Sequence, residues 1–589
     1  MTADLELLAG SALFAGLTDP ELREIATHMR ERVFAPGEEL CHAGEPSDRL
    51  WLITRGLVHL LAPPRSAGAP EVVARERKGD VVGGVGVIAG DVRRATVVAR
   101  LRTSTLELDA DTFAELVQAF PQILVNMIGT LRGRLTQARA RSVEAVRGET
   151  VAVAAGPSMA GLRASLIAAA GSASPSPVTA LDRRLSFAGA VTAADELVAG
   201  NATVLLSAEL EPETIAALLG EVDRVVALVA SASDAAALGQ LALRESERGG
   251  VEVVLVGEQA AHASRSWPPD SPLRVVRRCA DPPAPADLAW LARHLTRTKL
   301  GLALGAGGAK GYAHVGALQV LEEAGYTVDF VSGSSIGAIV GTYLALGANA
   351  AEIDETLRQA FDPPTVDEIF KMSLGGASGI GVMTRLLRET PHERSFADTV
   401  IPLTIMTVDL TERAPAPLRA GKLWEALLAA TALPGVFAPH EVNGHRLVDG
   451  LALVPVPTGS LLEDGADVTV SVNLMSADTL ERWPGGPPPE PSPERRRRAG
   501  MLDTLLEVMD LSQLQDSVSH AGLADVVITP RFGPCHWRDF HLADQFLLAG
   551  RAAAEEQLPR LRSLAPPVTI DIETYGQGEG VDRSGAIRI

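Results

Sequence analysis

Gly333-Ser334-Ser335-Ile336-Gly337 decides how this chain is read, because of what flanks it. Upstream, Val328-Asp329-Phe330-Val331 is a short apolar run with the character of a buried strand. Downstream, Ala338-Ile339-Val340-Gly341-Thr342-Tyr343-Leu344-Ala345-Leu346 has the length and small-residue content of a helix packed closely on a sheet. A serine between glycines at a strand-to-helix turn is a nucleophile elbow. The glycines permit the strained backbone and leave room for a substrate beside the hydroxyl. Taken singly, G-x-S-x-G is only moderately specific, so the reading depends on two further segments.

The first is Leu302-Ala303-Leu304-Gly305-Ala306-Gly307-Gly308-Ala309-Lys310-Gly311, a strand entering a glycine-rich turn that Tyr312 to Leu321 continue as a helix. Such a turn exposes backbone N–H groups beside the positive end of the helix, where an anion is favoured. A dinucleotide site would want glycine at position 310, which is lysine, and a phosphate-cradling loop would want Ser or Thr where Gly311 stands. The transient oxyanion of acyl transfer remains, and it needs about two amides near the nucleophile. Gly307 and Gly308 are the expected donors in a hole that runs through Ala309 to Lys310, whose ammonium adds positive potential or braces the loop.

The second segment is Arg446-Leu447-Val448-Asp449-Gly450. A carboxylate held at hydrogen-bond distance and partly desolvated can take the proton of a serine hydroxyl directly. Alone, Asp449-Gly450 reads as an ordinary turn. Beside an elbow and an oxyanion loop, it reads as a base.

These three segments resemble the patatin-like phospholipases, specifically the bacterial relatives of neuropathy target esterase. Thr404 to Leu410, the Leu433-Pro434-Gly435-Val436-Phe437 turn and Ala524 to Pro530 carry the same likeness. Two departures stand out: Ala306 replaces a glycine of the usual triplet, and Leu451 follows Asp449-Gly450 where Gly or Ala is typical. The resemblance implies a three-layer α/β/α catalytic domain and a Ser335–Asp449 dyad without cofactor or metal. In that mechanism an acyl-enzyme forms and water releases a fatty acid. The competing arrangement is a Ser-Asp-His triad completed by His520, His536 or His541; His314 reads as structural.

The first part of the chain has short alternating runs punctuated by Gly37, Gly44, Gly56, Gly68 and Gly79, the pattern of a small antiparallel barrel or jelly roll, followed by helical spacing over 111–146. Leu13 to Leu17, Phe34-Ala35-Pro36-Gly37-Glu38 and Gly44-Glu45 resemble a cyclic-nucleotide-binding domain. By that resemblance Arg93 is the phosphate-binding arginine, with Ala95 and Thr96 in the same cassette. Gly84 stands where the ribose-holding glutamate belongs, so a cyclic nucleotide is expected to bind weakly at best. Between these parts, Thr150 to Ala154, Ala202 to Leu206, Asp223 to Val229 and Val251 to Val256 alternate with alanine-rich helices, which predicts a small parallel α/β spacer domain. The expected division is 1–146, 147–297, 298–575 and a tail at 576–589.

At 589 residues the chain is too long for one core. A net charge of −20 argues against nucleic acid and against bulk adhesion to anionic membranes. The cysteines Cys41, Cys279 and Cys535 lie far apart and suggest neither a metal site nor a disulfide framework, which fits a reducing cytoplasm. The first residues lack the pattern of a signal peptide, and no apolar run approaches the ~18 residues that span a bilayer. Lipid is therefore expected to be met peripherally. The Pro-rich stretch 483–489 and the arginine run 495–498 read as a solvated loop, with anchorage on anionic lipid as the alternative. The resulting expectation is a serine hydrolase of lipid acyl esters, lysophospholipids or phospholipids, with homo-oligomerisation left open. A general carboxylesterase and a non-catalytic lipid- or nucleotide-sensing scaffold are the alternatives.

Overall fold

A computed structural model describes residues 8–568 except 63–70, 127–148, 182–186, 245–250, 268–272, 370–376, 390–392, 476–511 and gaps of one or two residues. The Pro-rich stretch, the arginine run, the expected tail and most of the helical reading beyond residue 126 therefore lie outside the described residues. The chain falls into two compact units, one up to Thr296 and one from Arg297 onward.

The first unit opens with helix α1 (Asp19–His28) and eight strands in two four-stranded antiparallel sheets. The strands are β1 (Arg30–Phe34), β2 (Glu39–Cys41), β3 (Arg49–Arg55), β4 (Leu57–Ala62), β5 (Glu71–Arg77), β6 (Val81–Val82), β7 (Thr96–Ala99) and β8 (Thr103–Asp109). One sheet runs β1-β8-β3-β6 and the other β2-β7-β4-β5. Both faces of β3 are buried because alternate residues serve different clusters: Leu50 and Leu52 pack with α1, Trp51 and Ile53 with Phe34 and Val97. A short helix α2 (Gly84–Ala89) interrupts the strands, and α3 (Ala110–Ala119) is capped by Asp109, which accepts from the Thr112 amide at 2.9 Å.

The same unit then builds a six-stranded parallel sheet, ordered β10-β11-β9-β12-β13-β14. Its strands are β9 (Thr150–Ala155), β10 (Val178–Leu181), β11 (Thr203–Glu209), β12 (Arg224–Val229), β13 (Val251–Val256) and β14 (Leu273–Cys279). Val151 and Val153 face one apolar cluster and Ala152 and Ala154 another, so helices cover both faces. Buried Arg224 pairs with Glu149 at 2.7 Å and Glu252 at 2.8 Å, tying three strands together.

The second unit is organised by an eight-stranded sheet. Parallel strands β15 (Leu300–Leu304), β16 (Phe330–Ser334), β17 (Leu403–Asp409), β21 (Val468–Val472) and β22 (Val526–Ile528) form its centre in the order β17-β16-β15-β21-β22. Antiparallel β18 (Ala414–Leu418), β19 (His440–Val442) and β20 (His445–Asp449) extend it beyond β17. Leu300, Leu302 and Leu304 point into the main core, whereas Ala303 packs with Val456 and Leu461. Burial on both faces makes three layers, in agreement with the expectation. Helices α4 (Tyr312–Glu323), α5 (Ile336–Ala345), α6 (Leu423–Ala430) and α7 (Ala543–Leu564) bring the remaining pieces of the site together. Among the described residues, no helix is long and apolar enough to cross a membrane.

Candidate active site

β16 ends at Ser334 and α5 begins at Ile336, leaving Ser335 alone in the turn with φ 56° and ψ −123°. A positive φ in a non-glycine residue is strained, and it persists because its surroundings hold it. A Cβ on Gly337 would overlap the Leu304 carbonyl, and one on Gly333 would overlap the Gly337 carbonyl. Both glycines are therefore demanded by close packing. Every residue of α5 is buried, so the helix that carries the serine is fixed against the sheet.

Asp449 closes β20, opposite Thr407 of β17, and its amide donates to the Ala432 carbonyl at 3.1 Å. The Ser335 hydroxyl donates to Asp449 Oδ2 at 2.7 Å, and the Leu451 amide donates to Oδ1 at 2.9 Å. Gly450 is needed here: a Cβ would sit 2.6 Å from the Met406 carbonyl oxygen and 2.7 Å from Ser334 Oγ. Asp449 is buried, and burial raises its pKa to about 7, against the two hydrogen bonds that favour the carboxylate. The group sits near neutrality, where a general base works best.

The glycine loop after β15 is held from several directions. The amides of Gly305 and Ala306 donate to Val472 and Pro455 at 3.1 and 2.9 Å, and that of Lys310 to Gly307 at 3.3 Å. Gly307 and Gly308 line the cavity with backbone alone, and Gly308 has φ 58°, which favours glycine. Ala309 departs from the expectation. Its amide donates to the Trp537 carbonyl at 2.7 Å and its side chain is buried, so it cannot also serve an oxyanion. The candidate hole narrows to Gly307 and Gly308, with Lys310 on the cavity wall. His314 is wholly buried and faces the Gly305 carbonyl at 2.8 Å through Nε2. Burial lowers its pKa to about 4, so it is neutral and donates to that carbonyl, pinning the loop.

These groups share a cavity of about 100 Å³ whose walls are mostly apolar: Ile336, Ile339, Phe361, Ile369, Met383, Leu433, Phe437, Leu451, Met475, Trp537 and Phe540. Trp537 and Phe540 belong to the segment between His536 and His541, two of the candidates for a triad. They form a wall of the site, about 200 residues from the serine, and Phe540 stacks on Phe361 at 5.0 Å. Among the described residues no histidine lines the cavity; His541 is exposed and His536 lies outside the described residues. No group of three His, Cys, Asp or Glu is placed to share a metal ion among the described residues.

In the first unit Arg93 is buried beside the 83–89 segment, where a Cβ on Gly83 would overlap its Nη1. Its guanidinium lies 4.9 Å from the Trp51 ring centroid, donates to the Arg49 carbonyl at 2.5 Å and stands 3.7 Å from Asp48. Thr96 Oγ accepts from the Ala43 amide at 3.1 Å, and Ala95 is half-buried just before β7. Gly84 opens α2 with no carboxylate to offer a ribose.

Residues 302–462 match the model of the patatin-like phospholipases, and residues 31–120 match that of the cyclic nucleotide-binding domain. Both resemblances are borne out at the level of these segments: the chain carries a stretch similar to a patatin-like phospholipase domain, preceded by one similar to a cyclic nucleotide-binding domain. Its homologues are NTE family proteins. An uncharacterized NTE family protein of Mycobacterium tuberculosis is 26% identical over 581 residues, covering 93% of this chain and 95% of that protein. A second such protein of M. tuberculosis is 35% identical over 199 residues, covering 33% of this chain and 54% of its own length. Patatin-like phospholipase domain-containing protein 6 of Mus musculus is 30% identical over 207 residues, covering 33% of this chain and 15% of the mouse protein.

Proposed function

We propose that this protein is a serine lipid acyl hydrolase acting on lysophospholipids or phospholipids through a Ser335–Asp449 dyad. The observation that carries this reading is the 2.7 Å bond from the Ser335 hydroxyl to a buried carboxylate within an apolar cavity. Asp449 takes the hydroxyl proton as Ser335 Oγ attacks the ester carbonyl, and the amides of Gly307 and Gly308 hold the resulting oxyanion. Collapse breaks the ester C–O bond, and Asp449 returns the proton to the departing alcohol. Water then attacks the acyl-enzyme, again giving its proton to Asp449, and fatty acid leaves as Ser335 recovers its hydrogen. The absence of histidine from the described cavity walls favours the dyad over a triad.

The same proposal assigns 1–146 and 147–297 to regulatory or localising domains, 298–575 to catalysis and 576–589 to a tail. The setting is cytoplasmic, with lipid met from the surface. Hydrolysis of lysophospholipids, phospholipids, acylglycerols and short p-nitrophenyl esters by wild type and Ser335→Ala tests it. Turnover of a lipid ester that disappears in the alanine variant is expected; turnover that survives rejects the nucleophile.

A further inference from the structure

The apolar walls around Ser335 come from two separate packing clusters. Ile336, Ile339, Phe361 and Met383 belong to the main core of the domain. Leu451 and Met475 instead pack with Ala306 in a small cluster of their own, with Leu433 against it. Ala306 is 1% exposed, Met475 6% and Leu451 7%, so this cluster has little room to yield. Its position matters more than its size. The Leu451 amide is bonded to Oδ1 of the carboxylate whose Oδ2 holds the Ser335 hydroxyl. Leu451 therefore starts beside the dyad and lines the same cavity as Ser335, within reach of an acyl group whose carbonyl the serine attacks.

We propose that Leu451, backed by Ala306 and Met475, selects substrates sterically, admitting esters of an unbranched acyl chain and rejecting those substituted on the carbon adjacent to the carbonyl. The proposal rests on the Ser335–Asp449 reading and deepens it by naming the acyl class. A methyl group on that carbon presses on Leu451, which is backed by Ala306 and Met475 with Leu433 against them. One methyl group in such a pocket is worth about 10–200-fold in discrimination. The substrate class is then an ester of a straight-chain fatty acid, whatever its headgroup.

The test compares kcat/KM for p-nitrophenyl butyrate and p-nitrophenyl isobutyrate on the full chain. The two esters are isomers with the same leaving group, so general loss of activity or stability cancels in their ratio. Leu451→Ala is expected to lower the butyrate preference by about tenfold or more, since the methyl-sized exclusion is removed. Met475→Ala is expected to lower it less, by giving Leu451 space to move; it also serves if Leu451→Ala does not fold. A ratio unchanged within about twofold in the folded variants, below the smallest discrimination expected of one methyl group, overturns the proposal. If wild type turns over neither these esters nor a lysophospholipid in a Ser335-dependent way, the hydrolase reading itself falls, an outcome distinct from an unaltered ratio.

Discussion

Replacing Asp449 with asparagine exposes the electrostatics of the site through stability rather than through activity. Asp449 is buried, and that burial lifts its pKa from 3.8 to about 7. A carboxyl whose pKa is raised on folding contributes stability that is fully present below its unfolded value and lost as pH climbs through the folded value. The window therefore opens near pH 4 and closes near 7. Roughly three pH units at about 1.36 kcal/mol each amount to about 4 kcal/mol, of which about 2–3 kcal/mol falls between pH 5 and 8. Asparagine keeps the shape and does not titrate. The Asn variant should gain on wild type as pH rises, by about 2–4 °C in Tm per kcal/mol, or about 5–10 °C from pH 5 to 8. Thermal unfolding of both proteins followed by circular dichroism at pH 5, 6, 7 and 8 measures this gap. In the same window, wild-type kcat/KM should rise with pH through an apparent pKa near 7, because the base acts ionised. A Tm gap that stays flat, or moves against the asparagine as pH rises, would mean that Asp449 does not titrate in this window.

Gly450→Ala forces a Cβ against the Met406 carbonyl and Ser334 Oγ, and is expected to cost about 1–3 kcal/mol of stability and to misplace Asp449. Thermal unfolding and kcat/KM report the two effects, and a variant with wild-type values of both contradicts the packing argument. Gly84→Glu restores an acceptor in the cassette that holds Arg93, and calorimetry with cAMP and cGMP should show affinity improved by about 1–3 kcal/mol. Sub-micromolar binding by the unaltered chain would show that Gly84 does not weaken the site. Arg224→Met removes the cation that Glu149 and Glu252 share, leaving Glu252 its contact with His294 at 3.0 Å, and should destabilise the parallel six-stranded domain by about 3–5 kcal/mol. An unchanged urea midpoint for that domain would show the network to be dispensable.

The catalytic fold was legible where local constraints are severe. Gly333 and Gly337 announce a tight turn around Ser335 because a side chain at either would overlap backbone, the Gly337 and Leu304 carbonyls respectively. The central strands of the spacer, β9 and β11 to β13, were readable as apolar runs because both their faces are buried. Its remaining strands, β10 and β14, carry no such apolar signal for the complementary reason. They form the sheet's edges, β10 is only half-buried, and β14 carries three arginines. What could not be read depends on tertiary contacts. Nothing local to Ala309 reveals that a carbonyl at residue 537 takes its amide. Likewise, Ala306 and Leu451 look like two unrelated departures in sequence, and only the fold places them in one cluster with Met475. The pKa of Asp449 is invisible for the same reason, since burial alone drives it upward.

Everything proposed for the site depends on Ser335 Oγ being the nucleophile and Asp449 its proton acceptor. An alkyl fluorophosphonate tests this directly: the serine oxygen forms a P–O bond, fluoride leaves, and the phosphonylated peptide is located by mass spectrometry. A single modified residue, Ser335, is expected, with the rate slowed about 100-fold or more in Asp449→Asn. Modification at another residue would reject Ser335 as the nucleophile, and modification of Ser335 at an undiminished rate in Asp449→Asn would reject Asp449 as its base.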